Sequence, residues 1–154
     1  MTNHFQLLAI ASAIAAAPAI AAQPAPEVNA PAGLAVGGYD PVAYFRDGKP
    51  VRGDGHYQLS FKGAVWRFAS GETLRQFQKR PDAFAPQFGG YCAWAVSQHY
   101  LAPGDPRQWK IVEGKLYLNA NARAKELWEA DQDAAIVRGH ANWPAVLSDN
   151  QDGK

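Results

Sequence analysis

The chain has 154 residues, 15 of them basic and 14 acidic, and a formal net charge of +1. This length is enough for one domain with a substantial core. The near-neutral balance, with no basic run along the chain, argues against nucleic acid and anionic membrane surfaces as partners.

The first 22 residues have the pattern of an export signal. An apolar stretch of small residues from Phe5 to Ala17 is followed by a peptidase-type site, so cleavage is expected near Ala21 or Ala22. The stretch is too short to span a bilayer, and no permanent membrane anchor is predicted. We therefore predict a periplasmic protein with a cleaved signal peptide at residues 1–22.

Composition divides the remaining chain into three parts. Residues 23–36 are rich in proline and alanine and are predicted to form an extended tether outside the core. One folded domain is expected over residues 37–147, followed by a polar tail over residues 148–154.

Two β-hairpins are predicted from alternating apolar residues on either side of glycine turns. The first covers residues 56–68 around Lys62-Gly63, and the second covers residues 109–118 around Glu113-Gly114. Their turn chemistry is alike, but the sequence shows no long-period repeat. An earlier aromatic segment, Tyr39–Phe45, is also β-prone.

Capping residues mark helices after each hairpin. Ser70 is predicted to cap a helix that ends at Arg80-Pro81, and Asn119 or Asn121 is predicted to cap a later one. The sum is an α+β fold in which two β-hairpins form a small antiparallel sheet packed with several short helices.

Cys92 is the one cysteine of the chain. An exported protein with one cysteine cannot close an internal disulfide, so the thiol is buried, metal-bound, paired with another molecule or reactive. Cys92 follows Gly89-Gly90, and a helix starting there would favour the thiolate, which binds metals and attacks electrophiles. The alternative is a small apolar residue in a packed core.

Histidines supply candidate partners for this thiol. His99 lies shortly after Cys92, and a loop could fold it back as a second ligand of a soft site suited to copper or zinc. His56 and His140 are further candidates. For each histidine the alternative is a surface or interfacial position.

Other chemistry is sparse. The sequence has no metalloprotease, nucleophile-elbow, phosphate-loop or dinucleotide-binding motif. Aromatic residues could line a ligand groove, although most must form the core. The candidate ligand-binding residues are Tyr39, Asp40, Tyr91 and Trp94. Asp40, before a proline, is also suited to a structural role in which it accepts backbone N–H bonds.

Several blocks of the chain, in one order, resemble the exported YHS-domain proteins of bacteria. These blocks are Gly38–Phe45, Trp66–Ser70, Phe84–Ala93, Asp105-Pro106 with Trp109, Gly114–Asn119 and Asn142–Pro144. The resemblance implies heavy-metal binding, because YHS domains look like relatives of small metal-binding cysteine modules. Among the possible ligands, Cys92 falls on a family motif position.

The leading expectation is a periplasmic accessory or binding protein that binds a soft metal ion, copper or zinc, through Cys92. The alternative is a protein-interaction module with an aromatic surface and no metal, whose partner is another protein or a second copy in a homodimer. A thiol-dependent enzyme with Cys92 as nucleophile comes third.

Export gives the first testable prediction. The secreted protein should begin near Ala22 or Gln23, because the small residues there suit signal peptidase. Intact mass of the periplasmic protein measures this directly. A soluble periplasmic form that retains Met1 would contradict it.

Overall fold

A computed structural model describes residues 23–149, so the predicted signal peptide and residues 150–154 of the predicted tail lie outside the described residues. The strands are β1 (Asp54–Phe61), β2 (Ala64–Phe68), β3 (Asp105–Val112) and β4 (Lys115–Asn119). The α-helices are α1 (Ala43–Arg46), α2 (Gly71–Lys79), α3 (Pro81–Phe84), α4 (Ala93–Ser97), α5 (Ala122–Ala130), α6 (Gln132–Asn142) and α7 (Val146–Asp149). Short 3-10 turns occupy Pro31–Gly33, Ala35–Gly38 and Gln87–Gly90. The predicted α+β class is confirmed.

Both predicted hairpins are present. β1 pairs antiparallel with β2, and β3 with β4. The two turn residues have positive φ in each hairpin: 50° and 75° at Lys62 and Gly63, and 50° and 73° at Glu113 and Gly114. Positive φ at both positions is the type I′ geometry, whose twist matches that of the paired strands.

The two hairpins do not join into the single sheet that the sequence predicts. Among the described strands they form two separate two-stranded sheets. Loop segments occupy the free edges of β2 and β4, where the other hairpin would have to pair. Leu34 bridges Val65 of β2, and Cys92 bridges Leu118 of β4, both in parallel.

The two hairpins belong to an internal structural repeat. β1 and β3 have eight residues each, β2 and β4 five each, and α2 and α5 nine each. Residue 105 follows residue 54, and residue 122 follows residue 71, by the same 51 positions. Both long strands also bulge at the same place, between Asp54 and Gln58 and between Asp105 and Trp109. We call residues 35–79 the first repeat and residues 87–130 the second repeat.

Each repeat begins with a loop of unusual backbone conformation. We call Ala35–Gly38 the first double-glycine loop and Gln87–Gly90 the second double-glycine loop. Their last three residues have φ of 52°, 57° and 81° in the first and 56°, 60° and 81° in the second. The first of these three residues is not glycine in either loop. A left-handed conformation costs such a residue about 1–2 kcal/mol, which burial of the apolar Val36 and Phe88 side chains offsets.

The core is built largely from aromatic side chains, as the sequence predicts for most of them. In the first repeat, the Phe77 ring lies 5.0 Å from Trp66 and 5.2 Å from Phe68. In the second repeat, Tyr117 and Trp128 lie 5.2 Å apart and are both fully buried. Ring pairs at these separations add to the free energy of area burial.

Two local predictions differ from the structure. The segment Tyr39–Phe45 is not a strand: Tyr39 makes one bridge to Arg52, and the helix α1 begins at Ala43. The predicted tether, residues 23–36, does not lie outside the core, because Val28, at 4% exposure, and the end of the segment are buried in it. None of the described helices is long and apolar enough to cross a membrane.

Candidate functional site

Cys92 is a buried residue at the start of a helix. It is 1% exposed and occupies the N-cap position of α4, so a helix starts at this residue. Its Sγ donates a weak hydrogen bond to Oδ1 of Asn119 at 3.6 Å. Small apolar residues, Ala95 and Ala124, pack around it. These are the surroundings of a core residue.

The repeat shows which residue holds the same position in the first half of the fold. The backbone N–H of Asp40 donates to Val51 at 2.8 Å, as that of Cys92 donates to Ala102 at 2.8 Å. The Asp40 carboxylate is fully buried. It accepts from the backbone N–H of Val42 at 2.8 Å and of Ala69 at 2.9 Å. Asp40 thereby ties the start of α1 to the end of β2, a structural role.

In the second repeat the same connection is made by the last residue of the strand and not by a residue before the helix. Asn119 ends β4 in the register position that Phe68 has at the end of β2. Its Oδ1 accepts from the backbone N–H of Trp94 at 3.0 Å and so caps α4. Asn121 caps α5 instead, through the N–H of Ala124 at 2.8 Å. Because the Asn119 amide supplies the acceptor that the Asp40 carboxylate supplies in the first repeat, position 92 needs no acceptor and holds a small thiol.

The predicted second ligand, His99, lies at the other end of α4 from Cys92. Its Nε2 is 3.0 Å from Oδ2 of Asp149, and hydrogen bonds with Asn142 and Asp149 raise its pKa above the ordinary value. Within residues 23–149, no group of three or more His, Cys, Asp or Glu side chains is arranged to hold a metal ion. A thiol beside one amide oxygen does not fit the ligand set of copper or zinc.

The other two candidate histidines have local partners. His56 lies on the surface with Nδ1 at 2.6 Å from Oδ1 of Asp54. His140 packs its ring 5.0 Å from that of Phe88, and burial lowers its pKa. Neither is brought to Cys92 by these contacts.

The four predicted ligand-binding residues are divided between the repeats. Tyr39 follows the first double-glycine loop and stacks under the Arg52 guanidinium at 4.8 Å. Tyr91 follows the second loop, and Trp94 lies in α4. Of the four, Tyr91 lines a cavity at the surface.

The second double-glycine loop is covered by a segment with a bend at Glu27 and Val28 that we call the strap, residues 25–29. Its backbone is held at both ends: the N–H of Ala25 donates to Leu147, and the N–H of Asn29 donates to Gly89, each at 2.8 Å. The Asn29 side chain also donates to the carbonyl of Gly90 at 3.4 Å. The loop needs glycine here, because a Cβ on Gly89 would collide with the strap backbone.

Side chains complete the docking of the strap. The Tyr91 hydroxyl donates to the carbonyl of Pro26 at 2.9 Å. The Glu27 carboxylate pairs with the Lys62 ammonium at 2.7 Å, and Asp82 approaches the same ammonium at 3.8 Å. The exposed ion pair contributes little alone, so most of the docking free energy comes from burial of Val28 and from the hydrogen bonds.

The first double-glycine loop is covered in a similar way, by β3 of the second repeat. A Cβ on Gly37 would lie 3.0 Å from the Pro106 ring, and the Tyr44 hydroxyl donates to the Pro106 carbonyl at 2.7 Å. Burial raises the pKa of Tyr44 and of Tyr91, so both hydroxyls stay protonated and remain donors. A proline-containing segment thus lies over each loop, and a tyrosine hydroxyl donates to its proline carbonyl, from α1 in the first repeat and from the residue after the loop in the second.

Open cavities flank the strap on two sides. One, of about 480 Å³, is lined by the strap, the Lys62-Gly63 turn and Tyr91. The other, of about 220 Å³, lies between the strap, Phe88 and Trp143. Glu27, Val28 and Lys62 line both cavities. We call the surface on which the strap lies, between these cavities, the groove.

Sequence reasoning missed the strap and assigned its residues to the tether. Two features of the sequence could have indicated it. Val28-Asn29 interrupts the proline- and alanine-rich stretch, and the triplet Gly-Gly-Tyr occurs twice, at Gly37–Tyr39 and Gly89–Tyr91. Comparisons with protein-family models, with curated protein sequences and with solved structures find no match for this chain. The resemblance to YHS-domain proteins therefore stays a prediction.

The close approach at Gly89 gives a testable prediction. Gly89→Ala should displace the strap and lower the free energy of unfolding by clearly more than the 1–2 kcal/mol expected from positive φ alone. Gly48→Ala is the matched control, because Gly48 has a similar φ of 63° and open space around it. Urea denaturation of both variants measures the difference. Equal losses would show that the strap does not press on Gly89.

The burial of Cys92 gives another. In the native protein the thiol should react with a maleimide far more slowly than after denaturation, because it is enclosed by α4, α5 and Asn119. Cys92→Ala should keep the fold, since the equivalent connection rests on Asn119. Rapid labelling of the folded protein would contradict the core assignment and favour the metal-binding or enzymatic hypotheses.

Proposed function

We propose that this protein is an exported protein-interaction module that binds a proline-containing segment at the second double-glycine loop, where its own strap lies. The observation that carries the proposal is the docking of the strap on this loop: the backbone N–H of Asn29 donates to Gly89, and the Tyr91 hydroxyl donates to the carbonyl of Pro26. In the first repeat a tyrosine hydroxyl also donates to a proline carbonyl, but it is that of Tyr44 in α1, at a different position from Tyr91.

The two segments differ in how they are attached. Pro106 belongs to β3 and is continuous with the second repeat on both sides, so it cannot leave its loop without unfolding. Among the described residues, the strap joins the domain through one end alone, at the turn Pro31–Gly33. It can therefore leave the second loop while the domain stays folded, and another segment can take its place.

The groove defines the chemistry of that segment. Tyr91 requires a carbonyl acceptor at the proline, and Lys62 favours an acidic side chain next to it. The buried site of Val28 takes a small branched apolar side chain, and the Gly90 carbonyl accepts from an amide such as that of Asn29. The preferred partner is thus a Pro-acidic-Val-Asn sequence in the conformation of the strap, recognised through backbone hydrogen bonds and small pockets.

The proposal ranks the expectations drawn from the sequence. The interaction module comes ahead of soft-metal binding because Cys92 is enclosed by core residues and His99 pairs with Asp149. Copper or zinc binding through Cys92 and His99 stays a prediction, supported by the resemblance to YHS-domain proteins. Location in the periplasm is part of the proposal, supported by the N-terminal sequence pattern.

A cleavable strap tests this function. A protease site inserted between Pro31 and Ala32 lets the whole chain fold before the strap is cut, after which it is held only by contacts. A fluorescent peptide of residues 23–31 should then exchange into the groove, with saturable binding measured by anisotropy. Failure of the peptide to bind the cut protein would overturn the proposal.

Two tyrosine variants give the specificity control. In the cut protein, Tyr91→Phe should weaken peptide binding by roughly 2–10-fold, the effect of one hydrogen bond. Tyr44→Phe removes the hydrogen bond from the Tyr44 hydroxyl to the Pro106 carbonyl, away from the strap, and should leave peptide affinity unchanged. Equal weakening by both variants would point to general destabilisation in place of recognition.

A further inference from the structure

The connection between strap and domain is a strained turn. Ala32 has φ of 55° and ψ of 25°, and Gly33 has φ of 80°. The left-handed conformation is unfavourable for alanine, because its Cβ crowds the following carbonyl oxygen. An extended chain at this point would relieve that strain and carry the strap away from its own groove.

The body of the domain resumes directly after this turn. Leu34 bridges Val65 of β2, so the chain is fixed again at that residue. Opening therefore involves only the few residues between Ala30 and Leu34, which span about 13 Å when extended. A strap released in this way projects next to its own domain and can reach only a partner that lies close by.

From these features we infer that two copies of this chain exchange straps, each copy inserting residues 25–29 into the groove of the other. This inference rests on the proposed function and names its partner: a second copy. Every strap contact is regained in the exchanged pair, because the groove that receives the strap is identical. The difference in free energy therefore consists of the relieved turn strain on one side, and of the entropy of association and the two backbone hydrogen bonds of the closed turn on the other.

The ion pair between Glu27 and Lys62 allows a test by charge complementation. E27K places two positive charges at the pair, and K62E places two negative charges there, so each variant alone has a repulsive contact. When the two variants are mixed, an exchanged heterodimer restores an attractive contact in both grooves. Without exchange, the mixture keeps both repulsions.

The experiment uses the exported protein and its variants, measured by light scattering after size exclusion over a range of concentrations. The mixture of E27K and K62E should dimerise with a dissociation constant about threefold or more below that of either variant alone. The contact of Lys62 with Asp82 is lost in K62E both alone and mixed, so it does not affect this comparison.

A second charge pair serves as the matched control. Lys110 and Glu129 form an ion pair at 3.5 Å within the domain and away from the strap. A mixture of K110E and E129K should gain no dimer, because exchange of the strap does not bring these residues together. A gain equal to that of the strap pair would overturn the proposal.

Variants of the turn provide an independent measurement. Ala32→Gly relieves the strain of the closed turn and should shift the protein toward monomer, whereas Ala32→Val disfavours the left-handed conformation and should shift it toward dimer. If the complementing mixture stays monomeric while the cut protein still binds the strap peptide, exchange is wrong and the proposed function stands. If the peptide also fails to bind, both are wrong.

Discussion

The left-handed backbone of the two double-glycine loops is the constraint on which the rest of this fold depends. Three successive residues with positive φ turn the chain sharply and bring its backbone within contact distance of another segment. Gly89 illustrates the requirement, because any side chain there would occupy the space of the strap. The loops thus create the two places at which the strap and the start of β3 dock, and they place Tyr39 and Tyr91 immediately beside them.

The repeat clarifies the role of Cys92. Both repeats must connect the start of a short helix to the end of the second strand of a hairpin. In the first repeat, Asp40 makes this connection with its buried carboxylate, and in the second, Asn119 makes it from the strand. A buried carboxylate accepting backbone N–H bonds and an amide capping a helix satisfy the same buried donors. Since Asn119 supplies the acceptor from the strand, the position before the helix needs none, and the small side chain of Cys92 occupies it.

The strap and β3 show how one docking geometry can serve two purposes. Pro106 lies within a strand and links the two repeats permanently, whereas Pro26 lies in a segment joined at one end of the described chain. The attachment then has different consequences: Pro106 cannot leave its loop unless β3 unfolds, whereas under the proposed function the strap leaves its loop and uncovers the site of Val28. This difference in attachment, and not in chemistry, is what makes the second loop a candidate binding surface.

The sequence by itself determined the local elements of this protein. The turns at Lys62-Gly63 and Glu113-Gly114 and the cap at Ser70 follow from propensities that act over a few residues. Only the tertiary structure decided the rest. It separated the two hairpins, turned Tyr39–Phe45 away from a strand, and packed Val28 into the core. It also showed the repeat, of which the sequence gives little sign beyond the two Gly-Gly-Tyr triplets, because Asp40 matches Cys92, and Phe68 matches Asn119. Such pairs carry out their roles through long-range contacts, and no local pattern of residues records which partner a buried side chain will meet.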